Sequence, residues 1–480
     1  MLVTTLLPLA VLLSFSGDGD APQWGGFRGN NGSGVSAAKR LPDALDPEEN
    51  LIWRTEIPAG YSSPCVAGKG VYLTATEGKK LYVLALDAYT GEERWRAELA
   101  FDGKRPGMNS PAAPTPATDG ERVYALFHHI GLIAYDCAGE LVDGKLVAKE
   151  LWRQPIGPFN IPHGMATSPV LHGDLVILQV DQNQGSYLVA YDKRSGAERW
   201  KVERPGVTHG YATPAVFEPA QGPPQLIVSS SFQIGGFSLA SGEKLWWVDG
   251  AAWQTKSIPV FDQGLCFVNS FMPAPMEMGM PNFSGTFAEL LAQRDADHSG
   301  KVERSEWKDD LVQMIWFLID LDGDGVLSEK DWEYAVSTGR ANGGLFAIDI
   351  GGKGDLTSKI KWKIEDRRGL SDLTSPVSIG GTLFLVKEGG IVTSLDPKTG
   401  KVVKQERVGE SDNYYASPVA GDGKLYLASQ SGQLAVLTAE PDWKVLSVHR
   451  IEEEVWSTPA LADKQVFVRS QGALYCFEAQ

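Results

Sequence analysis

Two twelve-residue stretches carry oxygen-bearing side chains at a regular spacing. The first reads DADHSGKVERSE (295–306) and the second reads DLDGDGVLSEKD (320–331). Carboxylates crowded on one short loop repel one another unless a cation lies among them. Oxygen donors at positions 1, 3, 5, 7, 9 and 12, with glycine at position 6, form the kind of loop that wraps a calcium ion. The sequence therefore predicts two calcium sites, one in each stretch.

The predicted ligands occupy the same positions in both loops. Those of the first loop are Asp295, Asp297, Ser299, Lys301 (through its carbonyl), Glu303 and Glu306. Those of the second loop are Asp320, Asp322, Asp324, Val326 (through its carbonyl), Ser328 and Asp331. Asp331 replaces the longer glutamate that usually closes such a loop at position 12. We therefore expect the second site to bind calcium more weakly, or to tolerate magnesium.

Helical sequence flanks both loops. FSGTFAELLAQR (283–294) leads into the first loop, and WKDDLVQMIWFLI (307–319) leaves it and runs directly into the second. Apolar residues recur at helical spacing there, which disfavours the alternative of two acidic turns on a solvated hairpin. Because one helix serves both loops, the sequence leaves open whether the loops pair face to face.

Most of the remaining chain is built from a repeat. A Ser/Thr-Pro or similar step precedes a short apolar strand at Pro64, Pro116, Pro169, Pro214, Pro259, Pro376, Pro418 and Pro459. Each copy continues through further apolar stretches joined by turn residues, which indicates four short strands in all. The copies lie 41 to 53 residues apart, apart from one interval of 117 residues. Such a period is typical of a β-propeller, so the sequence predicts an all-β fold with eight antiparallel, four-stranded blades.

The two ends of the repeat region predict how the ring closes. The last copy stops at LYCFEAQ (474–480), a third strand with no fourth. NLIWRTEIP (50–58) reads as a fourth strand with no blade before it. We therefore expect residues 51–57 to complete the last blade. The alternative is a strand loosely attached to the first blade.

The turn between third and fourth strands carries a family resemblance. ALDAYTGEERW (85–95) and AYDKRSGAERW (190–200) resemble the tryptophan-docking repeat of the pyrroloquinoline-quinone (PQQ) β-propellers. That family includes quinoprotein alcohol dehydrogenases, the propeller lipoprotein of outer-membrane assembly and a group of exported bacterial proteins. The stretch WGGFRGNNGSGVS (24–36) resembles the N-terminal signature of that last group. The resemblance implies that Asp87 and Gly91 shape a turn and that Trp95 packs between blades.

The long interval places the calcium loops inside the fifth blade. Its excess lies between GLCFVNS (264–270) and GLFAIDI (344–350), the predicted second and third strands. That connection shares a face of the propeller with the blade-to-blade connections, so we expect the insertion to overhang this face. The predicted order is a signal peptide (1–16), an N-terminal extension (17–50), propeller (51–270), an EF-hand pair as insertion (271–342) and propeller again (343–480).

Polar and aromatic residues precede the blade-start prolines on the same face. They are Tyr61, Asn109, His163, His209, Lys256, Asp372, Asn413 and Trp456, with His128 and His129 in the second connection. A ring-shaped pocket and ordinary loop composition both explain them. A histidine metal site among His128, His163 and His209 is a third alternative. The methionine-rich FMPAPMEMGMP (271–281) suits either copper(I) or an apolar linker between insertion and propeller.

The N-terminus and the net charge bound the compartment and the partners. The apolar run at 2–15 is too short to span a bilayer and predicts a signal peptide, hence an exported protein in the periplasm or outside the cell. We expect no later membrane span. A net charge of −16 repels phosphate backbones, so we expect no nucleic-acid partner.

These features predict an exported, calcium-binding β-propeller that acts as a non-catalytic binding or scaffolding protein. We expect a monomer with a protein or polysaccharide partner. The alternative is a quinoprotein-like oxidoreductase, or another enzyme, with a pocket beneath the insertion. Quinoprotein dehydrogenases carry a disulfide between adjacent cysteines over the quinone. The four cysteines here, Cys65, Cys137, Cys266 and Cys476, are scattered, so we expect no PQQ.

Overall fold

Eight antiparallel sheets follow one another along the chain in the computed structural model, which confirms the eight-bladed β-propeller. The structure describes residues 22–105, 107–273, 281–339, 341, 343–366 and 368–480. The signal peptide predicted at 1–16 lies outside the described residues, as do residues 274–280 of the methionine-rich stretch. Within the described ranges, no helix combines the length and the apolar character needed to cross a membrane.

The N-terminal segment and the first four blades hold the following strands. The segment contributes β1 (Pro22–Trp24), β2 (Val35–Ser36) and β3 (Leu51–Glu56). Blade one holds β4 (Cys65–Ala67), β5 (Gly70–Glu77), β6 (Lys80–Asp87) and β7 (Glu93–Ala100). Blade two holds β8 (Ala117–Thr118), β9 (Arg122–Phe127), β10 (Gly131–Asp136) and, after a hairpin of β11 (Glu140–Val142) and β12 (Lys145–Val147), β13 (Glu150–Gln154). Blade three holds β14 (Val170–His172), β15 (Leu175–Val180), β16 (Tyr187–Asp192) and β17 (Glu198–Glu203), and blade four holds β18 (Ala215–Phe217), β19 (Gln225–Ser230), β20 (Gln233–Ser238) and β21 (Lys244–Asp249).

The second half of the chain contains the insertion and the last four blades. Blade five opens with β22 (Val260–Asp262) and β23 (Leu265–Ser270). The insertion follows with α1 (Phe287–Arg294), β24 (Val302–Glu303), α2 (Asp310–Ile319), β25 (Val326–Leu327) and α3 (Glu329–Thr338). Blade five ends with β26 (Gly344–Ile348), β27 (Gly354–Asp355), which pairs with blade four, and β28 (Ile360–Ile364). Blades six to eight hold β29 (Val377–Ile379), β30 (Thr382–Lys387), β31 (Ile391–Leu395), β32 (Val402–Arg407), β33 (Val419–Gly421), β34 (Lys424–Ala428), β35 (Gln433–Thr438), β36 (Val445–Arg450), β37 (Ala460–Ala462), β38 (Gln465–Arg469) and β39 (Ala473–Glu478).

Blade-to-blade packing explains the repeated tryptophans. Trp95 on the outer strand of blade one is buried, and its indole N–H donates a 3.0 Å hydrogen bond to the carbonyl of Cys137 in blade two. Gly91 has φ 73° in the turn that Asp87 caps. The same indole-to-carbonyl contact, at 2.9 to 3.1 Å, joins four more blade pairs: Trp53 to Ala88, Trp152 to Lys193, Trp200 to Leu239 and Trp362 to Pro397. The structural role implied for Trp95 is therefore confirmed.

The ring closes as the chain ends predicted. Strand β3 pairs antiparallel with β39, and Trp53 lies opposite Cys476 while Arg54 lies opposite Tyr475. The first strand of the repeat region thus completes the last blade. Since Trp53 also reaches Ala88 in blade one, a single residue joins the closing strand to both sides of the seam.

The segment at 22–36 crosses the centre of the ring. Strand β1 pairs with β4 of blade one, and β2 pairs in parallel with β33 of blade seven. Asn31 exchanges two hydrogen bonds, of 2.5 and 2.6 Å, with the backbone of Val216 in blade four, on the far side of the axis. The buried Arg28 donates to the carbonyls of Pro376 and Pro418. The segment therefore closes the central channel, a role that the sequence did not reveal.

The insertion has its own small core. Thr286 caps α1 together with Glu289, and Ser328 caps α3 together with Asp331, in reciprocal capping boxes. Trp307 lies within this core, which the following buried apolar side chains share: Phe283, Leu290, Val302, Val312, Ile315, Trp316, Leu318, Ile319, Leu327, Trp332, Ala335 and Val336. Strands β24 and β25 pair antiparallel, with Val302 opposite Leu327. The two acidic loops therefore do pair face to face, which answers the question that the sequence left open.

Candidate metal loops and the propeller face

The first loop brings three of its carboxylates together. Oxygens of Asp295, Asp297 and Glu306 lie within 4.8 Å of one another. Asp295 accepts hydrogen bonds from the backbone N–H groups of Ser299 and Gly300, at 2.9 Å each. These bonds fold the loop around its first carboxylate, so that the negative charges converge on one point.

Ser299 and Glu303 lie beside this cluster. The Ser299 hydroxyl donates to Glu303 Oε1 over 3.1 Å and approaches Asp295 Oδ1 at 3.5 Å. The other carboxyl oxygen of Glu303 is buried without a hydrogen-bond partner among the described residues. The neighbouring Glu306 carboxyl raises the pKa of Glu303, and contact with Glu303, whose backbone N–H donates to Glu306, lowers the pKa of Glu306. The loop thus concentrates more negative charge than its own donors compensate.

The second loop repeats this geometry around Asp320. Oxygens of Asp320, Asp322 and Asp324 lie within 4.8 Å of one another. Asp320 accepts from the N–H groups of Gly323 and Gly325, and from the indole of Trp316 at 3.0 Å. Burial raises the pKa of Asp320.

The closing residues of the two loops differ in what they are free to do. Glu306 and Asp331 each accept the N–H of loop position 2, from Ala296 and Leu321. Asp331 also accepts from both the backbone N–H and the hydroxyl of Ser328, and it is not one of the clustered carboxylates of its loop. Glu306 does belong to the carboxylate cluster of its loop. It therefore fits the role of a metal ligand at position 12 better than the shorter Asp331 does.

The donor sets suit a hard divalent cation. Clustered carboxylates, a hydroxyl and the two carbonyl positions at Lys301 and Val326 are all oxygen ligands, which calcium prefers. The first loop supplies the fuller set, because its position-12 glutamate joins the cluster. Calcium remains a prediction for both loops.

Tyr334 of α3 fixes the insertion to the propeller. Its hydroxyl lies 3.4 Å from Nε2 of the fully buried His209. The other ring nitrogen of His209 pairs with Asn183 Oδ1 at 2.6 Å, and Gln254 approaches Nε2 at 2.9 Å. Burial lowers the pKa of His209 to about 3, so the ring is neutral. A neutral histidine with partners on both nitrogens serves here as a polar anchor, not as a metal ligand.

Other contacts seat the insertion over blades three to five. The ring of Phe317 packs edge-on against His163, with centroids 6.1 Å apart. Leu321, at position 2 of the second loop, packs with Trp253 and Tyr334. A cavity of about 10 Å³ lies where Trp253 of the face meets Leu318 and Tyr334 of the insertion. Side chains therefore fill the contact around Trp253.

The three histidines proposed as a metal site do not converge. His128 Nδ1 accepts the backbone N–H of Met165, and His209 is held by Asn183 and Gln254. The only metal-suited groups of three or more histidine, cysteine or acidic side chains in the described part of the chain are the two acidic loops. The histidine alternative is therefore not supported by the geometry.

The insertion contacts described above lie at blades three to five, and we call the part of the same face at blades seven, eight and one, where three aromatic rings are partly exposed, the open half. Trp456 stacks on Tyr61, with ring centroids 4.8 Å apart, and on Tyr415, with centroids 4.2 Å apart. Lys256 lies 3.5 Å from Asp372 and 3.4 Å from the sulfur of Met272, which begins the insertion. A ring-shaped pocket was one of the interpretations of the blade-start positions, and the insertion caps the part of that ring at blades three to five.

Sequence reasoning missed several residues that matter at this face. Tyr334, Tyr415 and Glu388 were not identified, because the local sequence of a helix or a turn does not show which distant side chains it contacts in the propeller. Only Tyr415 had a sequence signal: like Trp456, it lies just before a blade-start proline. A cavity of about 310 Å³ lies on the opposite face, between the 25–32 segment and blades two to five.

Comparison with known proteins gives a consistent family signal. A family model described as "Outer membrane protein assembly factor BamB" matches residues 43–150 and 300–480. The outer membrane protein assembly factor BamB of Burkholderia pseudomallei (strain K96243) is 24% identical over 416 residues, which cover 83% of this chain and 92% of that protein.

Solved structures share the fold at lower identity. BamB from Moraxella catarrhalis is 10% identical, with a TM-score of 0.54 over 90% of this chain and 97% of that chain. A europium-containing methanol dehydrogenase is 12% identical, with a TM-score of 0.60 over 95% of this chain and 98% of that chain. At these identities the likeness shows a common fold and nothing further.

Proposed function

We propose that this chain, which belongs to the β-propeller family described as outer membrane protein assembly factor BamB, is an exported, calcium-binding platform. In this role it holds a protein or polysaccharide partner and catalyses no reaction. The relative from Burkholderia pseudomallei is itself named an assembly factor, which supports a binding role. The apolar run at 2–15 supports export.

One observation carries the non-catalytic role. Beneath the insertion, where a substrate pocket was the alternative, Tyr334 and Leu321 pack against Trp253 of the propeller, and the cavity at that contact is about 10 Å³. Ligand pockets are usually of the order of 300 to 1,000 Å³. An insertion that fills the space beneath it suits a docking arm better than a lid over a substrate.

Calcium has a mechanical part in this proposal. Asp295, Asp297 and Glu306 would hold one ion, and Asp320, Asp322 and Asp324 would hold the other. The ion supplies the positive charge that lets these carboxylates remain converged. Because β24 and β25 join the loops, order in either loop supports the other. Loop two lies nearer the propeller through Leu321, so its order also supports the seating of the insertion.

Oxidoreductase activity is the second candidate. The fold is shared with a methanol dehydrogenase, which favours it. The four cysteines are separate free thiols and none adjoins another, unlike the adjacent pair of the quinoproteins that the chain resembles. Alcohol-dependent dye reduction after incubation with PQQ and calcium tests this candidate. Turnover that depends on added quinone would overturn the non-catalytic role.

Terbium luminescence tests the metal loops. Trp307 follows Glu306 directly, and the indole of Trp316 donates to Asp320, so each loop has its own sensitising ring. We expect two terbium ions per chain and calcium competition for both. Glu306→Gln should remove one site and Asp320→Asn the other. The exposed Glu440→Gln on blade seven is the control. Silence in the pure protein would end the calcium role.

Capture from an exported fraction tests the platform role. The intact chain, with calcium or with chelator, is compared with a chain in which Tyr334→Ala loosens the insertion from the propeller. We expect the same partner to be enriched by the intact chain with calcium and lost in the other two samples. Equal enrichment in all three would show that the insertion has no part in binding.

A further inference from the structure

Three aromatic rings meet where the propeller ring closes. Tyr415, Trp456 and Tyr61 come from the connections that open blades seven, eight and one, which are neighbours around the axis. Tyr61 lies nearly parallel to Trp456, at 12° and 4.8 Å between centroids, and Tyr415 lies 4.2 Å from it. All three are half-buried at the open half of the face. They stack on one another, and we call their partly exposed edges and outer faces the aromatic surface.

A carboxyl pair lies next to this aromatic surface. The Ser371 hydroxyl donates to Glu388 over 3.0 Å, and Asp372, the next residue in the chain, is near enough to affect the same carboxyl. Burial, and then the neighbouring Asp372, raise the pKa of Glu388 to about 7. Glu388 is therefore partly protonated near neutral pH, so this region offers both a hydrogen-bond donor and several acceptors. Burial raises the pKa of Tyr415, and the charges of Asp372 and Glu388 raise it further.

The charges of this region nearly cancel. Lys256 lies 3.5 Å from Asp372, and the exposed Arg105 is near enough to Tyr61 to lower its pKa against the larger effect of burial. Glu454 accepts the indole N–H of Trp456 at 3.0 Å. The positive charges of Lys256 and Arg105 therefore face three carboxyl groups, of which one, Glu388, is partly protonated. Such a surface has no field that selects an anion or a cation.

We propose that this open half of the face is a binding site for a neutral saccharide. A sugar ring presents apolar C–H groups on its faces and hydroxyls around its edge. The Tyr415–Trp456–Tyr61 surface matches the first, and the Asp372, Glu388 and Lys256 side chains match the second with donors and acceptors side by side. The site rests on the proposed role as a binding platform, and it names the chemistry of the partner.

A protein ligand is the competing partner for this surface, and it becomes an outcome of the test.

Ligand-observed saturation-transfer NMR with neutral hexasaccharides tests the site. Maltohexaose, cellohexaose, xylohexaose and the hexamer of N-acetylglucosamine are the probes, and a hexagalacturonate is the charged comparison. We expect transfer to at least one neutral probe and none to the charged one. Absence of transfer to all four neutral probes overturns the proposal, as does a preference for the charged one.

Variants tie the signal to the site. Tyr415→Ala and Asp372→Asn should each weaken binding about tenfold, equivalent to roughly 1.4 kcal/mol. Tyr89→Ala, an exposed tyrosine in the turn between β6 and β7, and Glu365→Gln are the matched controls and should bind like the parent. Near-ultraviolet circular dichroism checks the fold of every variant. Binding that survives both site variants overturns the assignment to these residues.

The outcome is separable from that of the metal loops. Two terbium sites without saccharide binding would overturn the saccharide site alone. Saccharide binding without terbium sites would overturn the calcium role alone. A captured protein that competes with no sugar, and depends on Tyr415 and Asp372, would replace the saccharide by a protein partner.

Discussion

The hydroxyl of Tyr334 lies 3.4 Å from Nε2 of His209, and this pair joins the insertion to the propeller across 125 residues of chain. Nδ1 of His209 meets Asn183 Oδ1, so the proton sits on Nδ1 and Nε2 is left as the acceptor. The Tyr334 hydroxyl and the amide of Gln254, which lies nearer at 2.9 Å, share this acceptor on a neutral ring. An anchor of this kind fixes the orientation of α3 without a charge.

Removal of that hydroxyl should loosen the insertion. Tyr334→Phe keeps the ring packing but removes the more distant of the two donors to His209, a net cost of at most about 1 kcal/mol. We expect faster amide exchange in α3, with the blades unchanged. Exchange measured by mass spectrometry checks this, with Tyr89→Phe at an exposed site as control. Equal protection of α3 in both variants would show that the hydroxyl does not hold the insertion.

Closure of the ring should depend on one side of strand β3. Trp53 is buried against Phe467 and donates to Ala88, whereas its neighbour Ile52 is 52% exposed. Trp53→Ala should lower the free energy of unfolding by about 3 to 5 kcal/mol. Ile52→Ala, in the same strand, should change it by less than about 0.5 kcal/mol. Denaturant unfolding measures both, and similar losses in the two variants would contradict closure by Trp53.

The sequence predicted those features that repeat or that are local. The blade period, the closing strand at Trp53 and the acidic loops each carry their own pattern, because hairpins and ligand loops are built from near neighbours in the chain. The channel-crossing segment was not predictable in the same way. Arg28 meets Pro376 and Pro418 across more than 300 residues, and no local pattern records such a contact. The anchor at Tyr334 was missed for the same reason.

The pairing of the loops shows where partial prediction was possible. Val302 and Leu327 occupy position 8 of their loops, and both are buried. They pair in β24 and β25 because α2 brings the second loop back beside the first. The position of the second loop depends on the angle at which the helices of the insertion pack. Helix angles are set by side-chain packing in three dimensions, so the sequence left this point open.

Protonation of Glu388 should make stability depend on pH. Its pKa is about 7 in the folded chain and 4.5 as the usual value, so the folded state binds more protons between these pH values. Stability from this group is therefore present below about pH 4.5 and is lost as pH rises through 7. Glu388→Gln should be more stable than the parent at pH 8, by on the order of 1 to 2 kcal/mol, and nearly equal to it at pH 4.5. Urea unfolding at both pH values measures this, with Glu365→Gln as control. A constant difference at both would contradict the assignment.

Calcium removal should act on the insertion and leave the blades intact. The carboxylates of each loop converge within 4.8 Å, so without a cation their repulsion opposes the loop fold. Ligand binding to the folded state alone raises its stability. We expect chelator to speed amide exchange at 295–306, 320–331 and α2, while β5, β6 and the other inner strands keep their protection. Asp295→Asn combined with Asp320→Asn should show the fast exchange even with calcium, and Glu440→Gln should not. Chelator effects spread evenly over blades and insertion, or absent from both, would refute a calcium-stiffened arm.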